Sequence, residues 1–412
     1  MANSKYTLMI RNAYLRESNE GCDIAISGDR IAEISRNHPG KGEKEIDAGG
    51  KFVSPAFIDS HTHMDKSFTG SGARQPKYYE APYARDRSIQ IGLEYYRHAP
   101  VEEIQRHVIQ HALLQIKNGT LYTRTHVDVD QVVRTKAVEA VIAARKELRG
   151  LIDIQIVAFA QSGFLRDSQA EPLVRRAIEM GADLVGGLDP ATWEHDIEIA
   201  LEVTFRIARD FDIPIDEHMM ERGTLGIYAL QRLAAKIIEN QYMERVTSSH
   251  NFSLADAPSE GIDQSIPLFK DAGLKLVTCY SSSPPAFPFK KLLEANIPIG
   301  CGSDNIKDFW IPFGSGDMVQ GAFIETQRWN LRTNADLESM WDMITVEGAK
   351  VLGMEEDYGI AAGKKADLVI LDALSPQWAI IDQARKLYVV KNGRILVENG
   401  DLLPELREKL SE

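Results

Sequence analysis

Two histidines spaced two apart, in Asp59-Ser60-His61-Thr62-His63, are the first residues of this sequence whose types and spacing suggest chemistry. An apolar run leads into them. In a strand, residues i and i+2 project to one face, so His61 and His63 can aim both imidazoles into one space. Further ligand types recur along the chain. His218 closes Ile213-Pro214-Ile215-Asp216-Glu217-His218, and His250 closes Val246-Thr247-Ser248-Ser249-His250. Asp304 follows the glycine-rich Ile297-Pro298-Ile299-Gly300-Cys301-Gly302. Imidazole and carboxylate ligands without a thiolate suit Zn2+, with Fe2+ as the alternative. Three protein ligands and an open position mark a catalytic rather than a structural site. Such a metal lowers the pKa of a bound water toward about 7 and so supplies hydroxide at neutral pH.

These residues meet only if their strands form a ring. Candidate strands are 53–59, 120–127, 152–160, 184–188, 213–218, 245–250, 274–278 and 297–300, with helical stretches between them such as 101–118, 135–148, 197–211 and 225–240. The alternation predicts an α/β fold, a (β/α)8 TIM-type barrel rather than a doubly wound sheet. Active sites of such barrels lie at the C-terminal ends of the strands, where the histidines and the aspartate fall. Both ends of the chain read differently. Short β-rich runs at 6–10, 22–26 and 30–34 are matched by 366–371, 387–390 and 394–397, with Asn392-Gly393 as a hairpin signal. The expected division is a small composite β domain from 1–54 and 355–412, around a catalytic barrel at 55–354.

A net charge of -13 argues against a nucleic-acid partner. The chain is 44% hydrophobic and 26% charged, which suits globular domains with a sizeable core. Cys22, Cys279 and Cys301 lack framework spacing, as expected in a reducing cytosol. No signal core and no apolar run of about 18 residues is present, so the expectation is a cytoplasmic protein without a membrane span. The sequence leaves a homo-oligomer open.

The motifs Phe57-Ile58-Asp59-Ser60-His61-Thr62-His63, the strand ends at His218 and His250, and Gly302-Ser303-Asp304 resemble the amidohydrolase superfamily along the whole chain. Thr125-His126-Val127-Asp128-Val129, Ile156 through Gly163, and Ser303-Asp304-Asn305 look like its cytosine-deaminase branch. Thr62-His63-Met64-Asp65-Lys66-Ser67-Phe68 and Leu121-Tyr122-Thr123-Arg124-Thr125 are most similar to that branch's triazine aminohydrolases.

The resemblance implies that His61, His63, His218 and Asp304 hold one divalent metal. It implies that His250 hydrogen-bonds the attacking water or the adduct, and that Asp304 takes the water's proton. Two-metal relatives carry a bridging lysine on strand four, taken here as 152–161, which has no lysine. Glu221, three residues after His218, falls where deaminases carry a proton-shuttling glutamate. An ordinary exposed loop glutamate is the alternative. Gln161 falls where deaminases contact a ring carbonyl or nitrogen. Lys66 and Asp189 could bind ring substituents or form salt bridges. Asn305 could bond substrate, and Trp310 could cover the pocket or join the core. His126 is expected to be structural. Met220 departs from the triazine pattern, which carries histidine there. The segment 72–87 could be a lid or plain surface.

The implied function is metal-dependent removal of an exocyclic amine or alkylamine from a triazine or pyrimidine ring carbon. A cytosine or isoguanine deaminase is the alternative. A non-catalytic binding protein on the same scaffold is the remote one.

Overall fold

The structure is a computed structural model that describes residues 6–16, 20–68 and 85–411. Its central sheet has eight parallel strands in sequential order, alternating with helices. In chain order they are β1 (Phe57–Thr62), β2 (Thr120–Asp128), β3 (Asp153–Phe159), β4 (Leu184–Gly186), β5 (Ile215–Met219), β6 (Val246–His250), β7 (Lys275–Cys279) and β8 (Ile299–Gly302). β1, β2, β5, β6 and β8 have every residue buried, as expected when side chains fill the barrel on one face and helices cover the other. All eight expected strands are present, within a few residues of their expected bounds. So is the expected helix at Ile197–Phe211, which Asp196 caps by accepting from Ile199 N–H.

Two expectations need correction. The run 53–59 is not one strand. Val53–Pro55 pairs antiparallel with Leu368–Leu371, and the chain changes sheets at Ala56. Ala56 N–H still donates to Asp367, whereas Phe57 N–H donates to Gly119 in the barrel. The segment 152–161, taken as strand four, supplies β3. The true fourth strand and its exit, Leu184 to Asp189, contain no lysine either.

The terminal segments form two sheets. Tyr6–Ala13, Cys22–Ser27, Arg30–Ser35 and Gly42–Asp47 make a four-stranded sheet, whose last strand had no alternating apolar pattern to announce it. The C-terminal strands and Val53–Pro55 make a five-stranded one. Ile10, Ile24 and Ile26 share a core with Leu368, Ile370 and Val390, which joins the two. Asn392 and Gly393 both have positive φ (50° and 73°) and form the expected hairpin turn between Lys386–Lys391 and Arg394–Glu398.

The ring closes between β1 and β8. Asp304 N–H donates to the His61 carbonyl at 2.8 Å, and His63 N–H donates to the Asp304 carbonyl at 3.0 Å. Buried Asp59 accepts from both the backbone N–H (2.8 Å) and the hydroxyl (2.6 Å) of Ser303. The strands approach so closely that a Cβ on Gly302 would sit 2.6 Å from the His61 Cβ, and one on Gly300 would sit 2.4 Å from the Ser60 hydroxyl. We expect Gly302→Ala to displace His61, to lower stability by about 1–3 kcal/mol, and to reduce retained metal. Denaturation midpoint and metal content of the purified variant check this; unchanged values for both would show that the seam tolerates the methyl.

Candidate active site

Closure brings the sequence-predicted ligands together. Among the described residues, ligand atoms of His61, His63 and Asp304 lie within 4.8 Å of one another, as do those of His61, His218 and His250. The Asp304 Oδ1 is 3.5 Å from His63 Nε2 and 3.7 Å from His61 Nε2. Asp304 Oδ2 accepts from the Ser282 hydroxyl at 2.8 Å, and Ser282 also lies 3.4 Å from His250 Nδ1.

The hydrogen bonds behind these rings settle their tautomers. His63 Nδ1 lies 3.0 Å from the His126 carbonyl, which only accepts, so Nδ1 carries the proton and Nε2 is bare. Ser249 donates its hydroxyl proton to Asp216 at 2.6 Å and therefore accepts from His61 Nδ1 at 3.0 Å. His61 Nε2 is thus also bare, and it is buried without a hydrogen-bond partner among the described residues. His218 stacks on Phe159 at 4.2 Å, and among the described residues neither of its ring nitrogens has a hydrogen-bond partner. Burial holds His61, His63 and His218 well below the ordinary histidine pKa, so the imidazoles are neutral. Buried, unpaired and neutral nitrogens fit a divalent cation.

His126 lies behind this cluster. Its ring is 4.0 Å from that of His61, and its Nε2 is 3.2 Å from Asp216. Asp216 is held in turn by Arg124 at 2.8 Å. Cys279 also lies near His250 and Asp304. Burial and the Asp304 charge push its thiol well above the ordinary range, which disfavours the thiolate a metal needs.

The cluster opens into a cavity of about 810 Å³. Its lining includes Glu221, Gln161, Lys66, Asp189, Asn305 and Trp310, so every expected substrate-side residue reaches one space. Glu221 is buried, not an exposed loop residue. One carboxylate oxygen accepts from Ala191 and Thr192 N–H groups, and the other has no partner among the described residues. Burial, then the Asp189 charge, push its carboxyl up to about 7.

Lys66 is salt-bridged to Asp128 at 2.8 Å and lies 3.4 Å from Gln161. Burial opposes its charge, but Asp128, Asp65 and Asp308 outweigh this and raise its pKa. Asp189 accepts from Met220 N–H at 2.6 Å, donates its own N–H to the His218 carbonyl, and faces Arg85 at 3.5 Å. Asn305 donates to Asp308. The segment 72–84 lies outside the described residues.

Sequence reasoning missed Ser249, Asp216 and Ser282, because hydroxyls and carboxylates one layer behind a ligand carry no spacing signal. It also missed the left-handed backbone of Asp189, His250, Asn251 and Asp304 (φ 43°, 73°, 54° and 60°) at the strand ends.

Barrel, buried histidine–aspartate cluster and cavity define a metal-dependent barrel hydrolase. The amidohydrolase family matches residues 44–397. The N-isopropylammelide isopropyl amidohydrolase of Pseudomonas sp. (strain ADP) is 60% identical over 394 residues, covering 96% of this chain and 98% of that one. The structure of N-isopropylammelide isopropylaminohydrolase from Burkholderia multivorans matches with a TM-score of 0.89 at 30% identity, over 96% of this chain and 99% of that one. A 5-methylcytosine deaminase from Klebsiella pneumoniae matches with a TM-score of 0.85 at 25% identity, over 95% and 97% of the chains. The chain belongs to the amidohydrolase family. It is a hydrolase of non-peptide C–N bonds.

The relay behind His61 is directly testable. Ser249→Ala removes the acceptor for Nδ1–H, and metal affinity is expected to fall about 10- to 100-fold. Competition with a chelator measures this. Unchanged affinity would mean that Ser249 does not orient the ligand.

Proposed function

We propose that this protein hydrolyses the exocyclic C–N bond of an amino- or alkylamino-substituted triazine, releasing the amine and leaving a ring carbonyl. The observation that carries this reading is the buried Glu221 carboxyl, facing the same cavity as the histidine–aspartate cluster with one oxygen unpartnered among the described residues. The likeness to N-isopropylammelide hydrolases supports the triazine ring. A cytosine or isoguanine deaminase is the second reading, favoured by the likeness to 5-methylcytosine deaminase.

In this reading His61, His63, His218 and Asp304 hold one divalent cation, Zn2+ before Fe2+. When bound, it supplies Lewis acidity and a water acidified toward about pKa 7. Asp304 takes the proton of the attacking water, and Ser282 holds the other carboxylate oxygen in place. His250 steadies the negative charge that develops as the C–O bond forms. Glu221, protonated near neutrality, gives its proton to a ring nitrogen, so electrons can leave the attacked carbon. Glu221, now a carboxylate, takes the remaining hydroxyl proton of the adduct as the ring carbonyl forms, and Asp304 passes the water's proton to the departing amine. Gln161, Lys66 and Asn305 orient the polar edge of the ring, and Trp310 covers it. Asp189 has two parts: it faces the cavity, and it ties the ends of β4 and β5 together. Three buried cysteines suit a cytoplasmic setting.

A panel of aminotriazines and aminopyrimidines, with and without N-alkyl groups, scored for released amine, tests the reading. Release from N-alkylaminotriazines is expected; no release from any ring would contradict it. Glu221→Gln should cut kcat by about 10²–10⁴ while retaining metal. The raised carboxyl pKa means the acid is present below about 7 and lost above it. The wild-type rate should therefore fall as pH rises through that value, and this limb should be absent in Glu221→Gln. Equal turnover in the variant would remove Glu221 from the mechanism.

A further inference from the structure

Ser282, which donates to Asp304 Oδ2 at 2.8 Å and lies 3.4 Å from His250 Nδ1, stands on irregular chain. The segment 280–288 joins β7 to a short helix at Phe289–Glu294. At its start, Tyr280 N–H donates to the Gly302 carbonyl and Ser282 N–H to the Cys279 carbonyl, both at 3.0 Å. Further on, Pro284, Pro285 and Pro288 have no N–H with which to fasten it. The aim of the Ser282 hydroxyl therefore depends on what holds the carbonyls of this loop.

Two side chains do so, and both come from the C-terminal end of one helix, Met318–Arg328, which packs against β8 and β1. Arg328 donates to the Tyr280 carbonyl at 2.8 Å. The Trp329 indole N–H donates to the Pro284 carbonyl at 3.1 Å. The two bonds bracket Ser281, Ser282 and Ser283. Each donor is itself fixed. The same Arg328 nitrogen meets buried Glu325, one helical turn earlier, at 3.1 Å. Trp329 stacks on Phe287 and on Phe289, with ring centroids 5.5 Å apart in each pair. The Tyr280 ring rests directly on the backbone of this helix and leaves no room for a Cβ on Gly321. Neither Arg328 nor Trp329 is among the described residues that line the cavity.

We propose that Arg328 and Trp329 are positioning residues, which clamp the loop 280–284 by its carbonyls and so hold Ser282 against Asp304 and His250. The inference rests on the C–N hydrolysis reading for the roles of Asp304 and His250, and adds the residues that keep both aimed. Misplacing reacting groups by about 1 Å costs about 10²-fold in rate. The hydrogen-bond partners of a ligating carboxylate are worth about 10- to 100-fold in metal affinity. A loop that slips therefore loses turnover and metal affinity together. The walls that hold the ring, Gln161 and Trp310, lie elsewhere, so KM is little affected.

A double-mutant cycle on Arg328→Met and Ser282→Ala tests this. It is read twice: as kcat for amine release from an N-isopropylaminotriazine, and as Zn2+ affinity by competition with a chelator. Burial pushes the Glu325 carboxyl up to about 7, against the pull of Arg328 and Ser283, so without the guanidinium it can take a proton and stay buried. Arg328→Met should lower kcat and Zn2+ affinity by about tenfold each, with KM within about twofold of wild type. Ser282→Ala should cost about as much. The double variant should lose no more than either single one, because both act through one hydroxyl. Arg328→Lys, which can still reach the Tyr280 carbonyl, should recover most of the loss. If Arg328→Met does not fold, Trp329→Phe takes its place in the cycle, since it keeps the aromatic stack and removes only the N–H. Losses that multiply in the double variant would overturn the clamp and leave the hydrolysis reading intact. So would a lowered melting temperature with unchanged kcat and Zn2+ affinity. No amine release from any triazine by the wild type would defeat the hydrolysis reading instead. The Zn2+ cycle then decides the clamp alone: non-additive losses support it, and additive losses or none overturn it.

Discussion

The seam between the first and last barrel strands is the constraint on which the site depends. His61 stands on β1 and His63 just past its end, Asp304 just beyond β8, and 240 or so residues of chain separate them. Backbone bonds from Asp304 to His61 and from His63 to Asp304 fasten the two strand ends in register. The proposed metal ligands are therefore part of the closure itself: the same residues that finish the ring offer their side chains to its mouth. Glycines at 300 and 302 permit the approach, and Asp59 ties Ser303 to the neighbouring strand.

Behind the seam, the barrel solves an electrostatic problem. Five histidines lie buried around one point, where charged imidazoles would repel one another at high cost. Burial keeps His61, His63 and His218 neutral, and fixed acceptors place the protons of His61 and His63 on the far nitrogens. The positive charge of Arg124, deep in the barrel, is matched by Asp216, which also orders Ser249. Fold stability and ligand preparation share these contacts, so changes in this layer are expected to affect both.

Much of this was legible in the sequence, for physical reasons. Parallel strands buried on both faces read as short apolar runs, and the alternation with helical periods is strong, so all eight strands and the ring they imply could be read. His61, His63, His218, His250 and Asp304 stood at strand ends and gave a site as soon as the ring was assumed. What could not be read depended on three-dimensional neighbours. Gly42–Asp47 is mostly exposed and charged, so no pattern marks it as a strand; it forms by pairing with Tyr6–Ala13. The change of sheet at Ala56 follows from which partner each N–H finds. The 152–161 run is β3, the third strand in chain order, and the short fourth strand Leu184–Gly186 follows it. Glu221 could have been an exposed loop residue from its polar neighbours alone; the turn at Ala191 and Thr192 is what buries it.

The central claim is that three neutral imidazoles and one carboxylate, from β1, β5 and the end of β8, hold a single cation. X-ray absorption at the edge of the bound metal tests it most directly. The account predicts nitrogen and oxygen scatterers at about 2.0–2.2 Å and no neighbouring metal. A sulfur scatterer at about 2.3 Å, for which Cys279 is the cysteine placed closest among the described groups, or a second metal at about 3.5–4 Å, would contradict it.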